Sequence, residues 1–226
     1  MQLTAHVDRE EALAFLGHRG QELEPDLAER LERAALLCQQ EMAPRGVWRV
    51  LPAAQALALL PGRDIARHLD GCGEVALMAV TLGAESELVL RRESALSPTD
   101  GLLVDACASS LVEQAANVLN ALVVEEAAAR GLAATSRYGP GYGDLPLSCQ
   151  PAFLAACGAD RALGMRATEA NLLVPTKSIT AVIGLASRPA PDGPRAGAPD
   201  PRCATCSVAL TCALRAQGRT CHGNPA

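Results

Sequence analysis

Two stretches of this chain hold the residue types that do chemistry. The first is SRYGPGYGDLPLSC, residues 136–149, which carries both tyrosines of the chain, Tyr138 and Tyr142. Arg137, Pro140 and the glycines Gly139, Gly141 and Gly143 fall among them. An arginine grips a carboxylate through two parallel N–H donors. A tyrosine covers an apolar or aromatic ligand face and still offers a hydroxyl. Glycines admit positive φ and let a ligand lie close to backbone N–H and C=O groups, and Pro140 stiffens the loop between them. Together these residues suit a small zwitterion that carries an aromatic ring. The plainer alternative is a Gly-rich turn with Arg137 in a surface ion pair, since such turns are common.

The second stretch is CATCSVALTCALRAQGRTC, which spaces Cys203, Cys206, Cys212 and Cys221 by two, five and eight residues. Four thiolates at short spacing can enclose a metal. The pattern departs from the paired Cys-x-x-Cys knuckles of a zinc ribbon. An iron–sulfur cluster fits it at least as well as zinc, and a tail without metal is the third reading. The chain has nine cysteines, and no secretory signal follows Met1, so a disulfide framework is disfavoured. Cys38, Cys72, Cys107, Cys149 and Cys157 read as small core residues, above all Cys38 and Cys107 on apolar helix faces.

These groups need a scaffold, and the composition limits what it is. Of 226 residues, 49% are hydrophobic and only 2% aromatic, so the core is built from Leu, Val, Ile and Ala. A net charge of -5 argues against a nucleic-acid surface, which needs clustered Lys and Arg. With no signal segment and no apolar run of about 18 residues, the expectation is a cytoplasmic protein with no membrane partner.

Helical spacing appears at 8–17 and at 25–43, where Leu27, Leu31, Ala34, Ala35 and Cys38 share a face. GVWRVLP reads as a strand, RDIARHL as a short helix, and EVALMAVTLG as a strand buried on both faces. AESELVLRRESAL is a helix stopped before Pro98. The longest helix runs from about 100 to 130, with a core stripe of Val104, Cys107, Leu111, Ala115, Val118, Leu119 and Leu122. Its second stripe, Ser109, Glu113, Asn117 and Asn120, is polar and reads either as a solvated face or as the wall of a polar pocket. A helix near 148–158, a turn at Pro175 and an alternating strand at 178–186 complete the pattern. Helices and strands do not alternate regularly, which favours α+β with a largely antiparallel sheet. The Pro-, Gly- and Ala-rich run 188–201 reads as a linker between a domain at 1–187 and the Cys-rich tail 202–226.

Arg-x-x-x-Gly-Tyr, met as Arg137, Gly141 and Tyr142, resembles the S-adenosylmethionine motif of the activation (reactivation) domain of cobalamin-dependent methionine synthase. Downstream, GMRATEANLLVPTKSITAVIG is similar to that domain's Gly-Met-x-x-Thr-Glu segment, with Gly164, Met165, Thr168, Glu169, Pro175 and Ser178 in register. Upstream, DACASSLVEQAANVLNAL resembles the long helix that precedes the motif. The likeness covers residues 102–186 firmly and the rest weakly. It implies the helmet-shaped α+β fold of that family, with helices around a bent antiparallel sheet.

The resemblance implies S-adenosylmethionine as ligand. Arg137 holds its carboxylate, the Gly139–Gly141 backbone lines the site, and Tyr142 packs on the ligand with Tyr138 beside it. Glu113 takes the ammonium or the ribose. Glu169 stands between a capping role and the pocket. Lys177, the one lysine of the chain, reads as an exposed loop residue or as a contact to an acidic partner. The chain is far shorter than the synthase, and none of His6, His18, His68 and His222 sits in an Asp-x-His-x-x-Gly motif. Cobalamin is therefore expected on a corrinoid-binding partner, and the chain resembles short stand-alone members of the family. GYGDLP departs from the synthase version after the tyrosine. The implied function is reactivation in trans: a partner's Co(II) corrinoid takes one electron and a methyl group. A binding adaptor without turnover, or an iron–sulfur electron carrier, are the alternatives.

Overall fold

The computed structural model describes residues 1–187. The linker and the four tail cysteines lie outside the described residues.

Two helices open the chain, α1 (Arg9–Phe15) and α2 (Pro25–Glu41). Strand β1 (Arg45–Pro52) leads into α3 (Ala53–Leu59) and α4 (Arg63–His68). Strand β2 (Glu74–Thr81) and helix α5 (Ala84–Leu96) precede the long α6 (Pro98–Ala129). A two-residue β3 (Ala133–Ala134) comes before the Tyr/Gly loop. A 3-10 turn (Leu147–Cys149) then enters α7 (Gln150–Cys157), followed by α8 (Ala159–Leu163). The hairpin β4 (Arg166–Ala167) and β5 (Leu173–Val174) precedes the last strand, β6 (Ser178–Ala186).

The main sheet has the order β1-β2-β6-β3, and every pairing is antiparallel. Helices cover both of its faces. Ala76, Met78 and Val80 of β2 point into one core with α1, α2, α5 and α6, while Val75, Leu77 and Ala79 point into a second with α3, α4, α7 and α8. The period-two alternation of a strand thus divides an all-apolar run between two cores. The architecture is the expected α+β one, with helices around a mainly antiparallel sheet.

Three differences from the sequence pattern have physical reasons. β6 was expected to alternate, but it is buried along nearly its whole length, because Ala181, Ile183 and Leu185 face the first core and Val182 the second. Helix α3 is absent from the sequence reading; AAQALAL has high helix propensity but is too short to display a period. The strands β3, β4 and β5 have two residues each and carry no pattern of their own.

α6 begins at Ser97, whose Oγ accepts from the Asp100 N–H, and has Pro98 in its first turn. Of its expected core stripe, Val104, Cys107, Leu111, Ala115 and Leu119 are buried, and Val118 and Leu122 are partly so. By length and composition α6 is also apolar enough to cross a membrane, more than the sequence reading allowed. Half of its most apolar window is buried within the fold.

Candidate functional site

The polar stripe of α6 holds two cations. Asp105, Ser109, Glu113 and Asn117 recur every fourth residue and so share a helix face. Lys177, just before β6, donates from Nζ to Ser109 Oγ at 2.8 Å and pairs with Asp105 Oδ1 at 2.8 Å. Arg137 donates from Nη2 to Asn117 Oδ1 at 2.8 Å and reaches Glu113 Oε2 at 3.5 Å. The side chains of Arg137 and Lys177 are only 8% and 13% exposed. A surface ion pair for Arg137 and an exposed loop residue for Lys177 are both overturned. Glu113 lies one turn from each cation's anchor. Burial pushes its carboxyl above the ordinary range; Arg137 opposes that rise and Glu11 adds to it. Further along the stripe, Asn120 Oδ1 is buried with no hydrogen-bond partner among the described residues.

Backbone pairing carries Arg137 to this face. The Thr135 N–H donates to Gly184 O at 2.8 Å, and Tyr138 and Val182 exchange both backbone bonds, at 3.0 and 2.8 Å. The segment therefore runs along the β6 edge beyond β3. In extended backbone, neighbouring side chains point to opposite faces. Arg137 meets α6, while Tyr138 packs against the second core.

The loop then closes on itself. Gly141 N–H donates to Leu145 O at 2.8 Å, Leu145 N–H to Tyr142 O at 3.0 Å, and the Tyr138 hydroxyl to Tyr142 O at 3.1 Å. Gly141 and Gly143 have φ of +96° and +51°, where a side chain is strained. A Cβ on Gly143 would also collide with the Tyr138 hydroxyl and lie 2.7 Å from Asp64 Oδ2. Gly139 does not take the expected positive φ. It is buried, and a Cβ there would sit 3.1 Å from Thr180 O, so the position needs room. The Tyr138 ring stacks at a tilt on His68, with centroids 5.2 Å apart, and meets Tyr142 edge-on at 6.3 Å. Tyr142 itself is 61% exposed.

Two sequence features take structural roles. Asp144, in the GYGD stretch, accepts from the N–H groups of Arg63 and Asp64 at 2.7 and 3.0 Å and so caps α4. Those bonds hold its carboxyl below the ordinary range. Thr168 closes the β4–β5 turn, taking the Leu172 N–H on its Oγ1 at 3.1 Å, and Glu169 stands exposed in that turn.

The five cysteines of the described residues are free thiols. Cys38, Cys107, Cys149 and Cys157 are buried as expected, while Cys72 is only half-buried. Burial pushes the Cys107 and Cys157 thiols up to about 12. Among the described residues, no group of three or more His, Cys, Asp or Glu side chains is arranged to hold a metal ion.

A crystal structure of the MetH reactivation domain bound to AdoHcy has this fold. The TM-score is 0.53 at 18% identity, over 75% of this chain and 65% of that one. The chain thus spans about two thirds of the neighbour's length, and at that identity the likeness establishes the fold alone. The resemblance seen in the Arg-x-x-x-Gly-Tyr motif and its flanks agrees with it. A gut-bacterial enone reductase, CLA-ER, aligns less well, with a TM-score of 0.38 and 10% identity over 87% of this chain and 96% of that one. No family model and no curated protein matches the chain.

Asn117 was visible in the sequence as a member of the polar stripe but not as the partner of Arg137. Its signal was its place four residues after Glu113. Gln114 and Glu11, which extend the same hydrogen-bonded group, gave no signal.

Proposed function

We propose that this chain binds S-adenosylmethionine at the Arg137 loop and acts as a stand-alone reactivation factor for a corrinoid methyltransferase. The observation that carries the reading is the enclosed Arg137 guanidinium beside Glu113 on α6. A fixed cation next to a carboxylate matches the carboxylate and ammonium of an amino-acid ligand. Likeness to a domain solved with AdoHcy supports the same ligand class.

Arg137 takes the carboxylate and Glu113 the ammonium or a ribose hydroxyl. The Gly139–Gly141 backbone lines the site, and Tyr138 and Tyr142 offer ring surface. The methyl acceptor is cobalamin carried by a partner. One electron from a reductant brings the partner's Co(II) to Co(I). The sulfonium S–CH3 bond then breaks, a Co–CH3 bond forms, and S-adenosylhomocysteine leaves. The chain's part is to hold the methyl in line and keep water out, and no general acid or base is needed. Such chemistry goes with a cytoplasmic location.

The test supplies labelled S-adenosylmethionine, a chemical reductant and a cobalamin-dependent methionine synthase lacking its own reactivation domain. The label reaches cobalt only when this chain is present. A chain that binds the donor but leaves the label on it is an adaptor.

We also propose that residues 188–201 link the domain to a tail, 202–226, in which Cys203, Cys206, Cys212 and Cys221 hold an iron–sulfur cluster, or zinc. A cluster there supplies the electron. Purification without air then yields a coloured protein with bound iron, whereas colourless protein free of iron and zinc removes the tail from the account.

A further inference from the structure

Arg137 is the end of a longer chain of polar groups. Asn117 Nδ2 donates to Gln114 Oε1 at 3.5 Å, the longest link. Gln114 Nε2 donates to Glu11 Oε2 at 2.9 Å. Ser110 Oγ lies 2.9 Å from the same Glu11 oxygen and 3.0 Å from the Asp8 carbonyl. The hydroxyl has one proton for these two acceptors, and the carboxylate is the stronger one. Glu11 is 6% exposed, on the short helix α1 that packs against α6.

The direction of this chain is fixed by chemistry. A guanidinium only donates, so Asn117 must turn its oxygen to Arg137 and its NH2 away. A carboxylate only accepts, so Gln114 must turn its NH2 to Glu11 and its oxygen back to Asn117. Both amide dipoles then point the same way, C=O toward the cation and N–H toward the anion. Links of this kind polarise and strengthen one another.

We infer that Glu11 is a positioning residue for Arg137, acting through Gln114 and Asn117. The N-terminal helix α1 thereby sets the orientation of the guanidinium that faces the ligand. Its effect on ligand affinity rests on the S-adenosylmethionine reading; its effect on the arginine does not.

The test cuts the middle link with Gln114→Leu in the full chain. Nitrogen-15 NMR of the ligand-free protein follows the guanidinium of Arg137, assigned by its loss in Arg137→Lys. In wild type the Nη protons are resolved, because rotation about the guanidinium is hindered. Gln114→Leu averages them, and Glu11→Gln, which keeps the shape and removes the charge, moves them too. Unchanged Arg137 signals in both variants overturn the inference, whatever the ligand. Binding is the second readout. Gln114→Leu weakens S-adenosylhomocysteine about fivefold, the size of one neutral hydrogen bond. It leaves 5′-methylthioadenosine, which lacks the amino-acid part, unchanged, and it adds no loss in an Arg137→Ala background. Equal weakening of both ligands means a merely structural role and also overturns the inference. If wild type binds neither ligand, the functional reading fails while the NMR result still decides the relay.

Discussion

Arg137→Ala lowers the affinity for S-adenosylmethionine by about 30- to 4000-fold, while the fold persists. That range is the loss of about 2–5 kcal/mol expected when one partner of an enclosed, hydrogen-bonded charge pair is removed. The side chain is 8% exposed, so little water replaces the lost guanidinium. The deletion also frees Glu113, whose carboxyl burial already pushes upward, from the cation that opposes the rise. Arg137→Lys falls between wild type and alanine. It keeps the charge but not the planar fork that meets a carboxylate with two parallel bonds while also holding Asn117. Isothermal titration of the two variants beside wild type, with circular dichroism as a check on folding, measures this. Equal affinities in all three would remove Arg137 from the site.

Phe153→Ala costs about 3–5 kcal/mol of stability. Phe153 is fully buried in the second core, among Leu145, Met165 and Val182. The core has few other aromatic groups to close the resulting cavity, since the chain contains only two phenylalanines and one tryptophan. A domain of this size has about 5–15 kcal/mol in total, so the loss is a large share. The melting temperature falls by about 6–20 °C. The same core carries Tyr138 and Leu145, at the two ends of the candidate loop. Ligand affinity therefore drops as well, though less than in Arg137→Ala. A melting curve within 2 °C of wild type would mean that the second core does not pack around this ring.

The parts of the fold that the sequence displays are long and periodic. α6 repeats its apolar residues over 32 residues, and β2 is an unbroken apolar run. The short strands β3, β4 and β5 arise from pairing alone and leave no trace in composition. The candidate loop is legible because it gathers both tyrosines of the chain among three closely spaced glycines and an arginine. What the loop faces is less legible. Ser109, Glu113 and Asn117 have the same spacing whether a helix face meets solvent or a pocket. The decision comes from Lys177 and Arg137, brought to α6 across the β6 edge. Glu11 is harder still. In sequence it is one acid of REEALAF, and only the docking of α1 on α6 joins it to Gln114. Gly139 marks a different limit, because composition alone cannot tell a glycine kept for its φ from one kept for space.

The most direct test of the central claim is a calorimetric titration of the full wild-type chain, purified without air, with S-adenosylhomocysteine. The account predicts saturable binding of one ligand per chain. No heat and no saturation across the millimolar range would contradict it, and would leave the Arg137 loop as a structural clasp between β6 and α6.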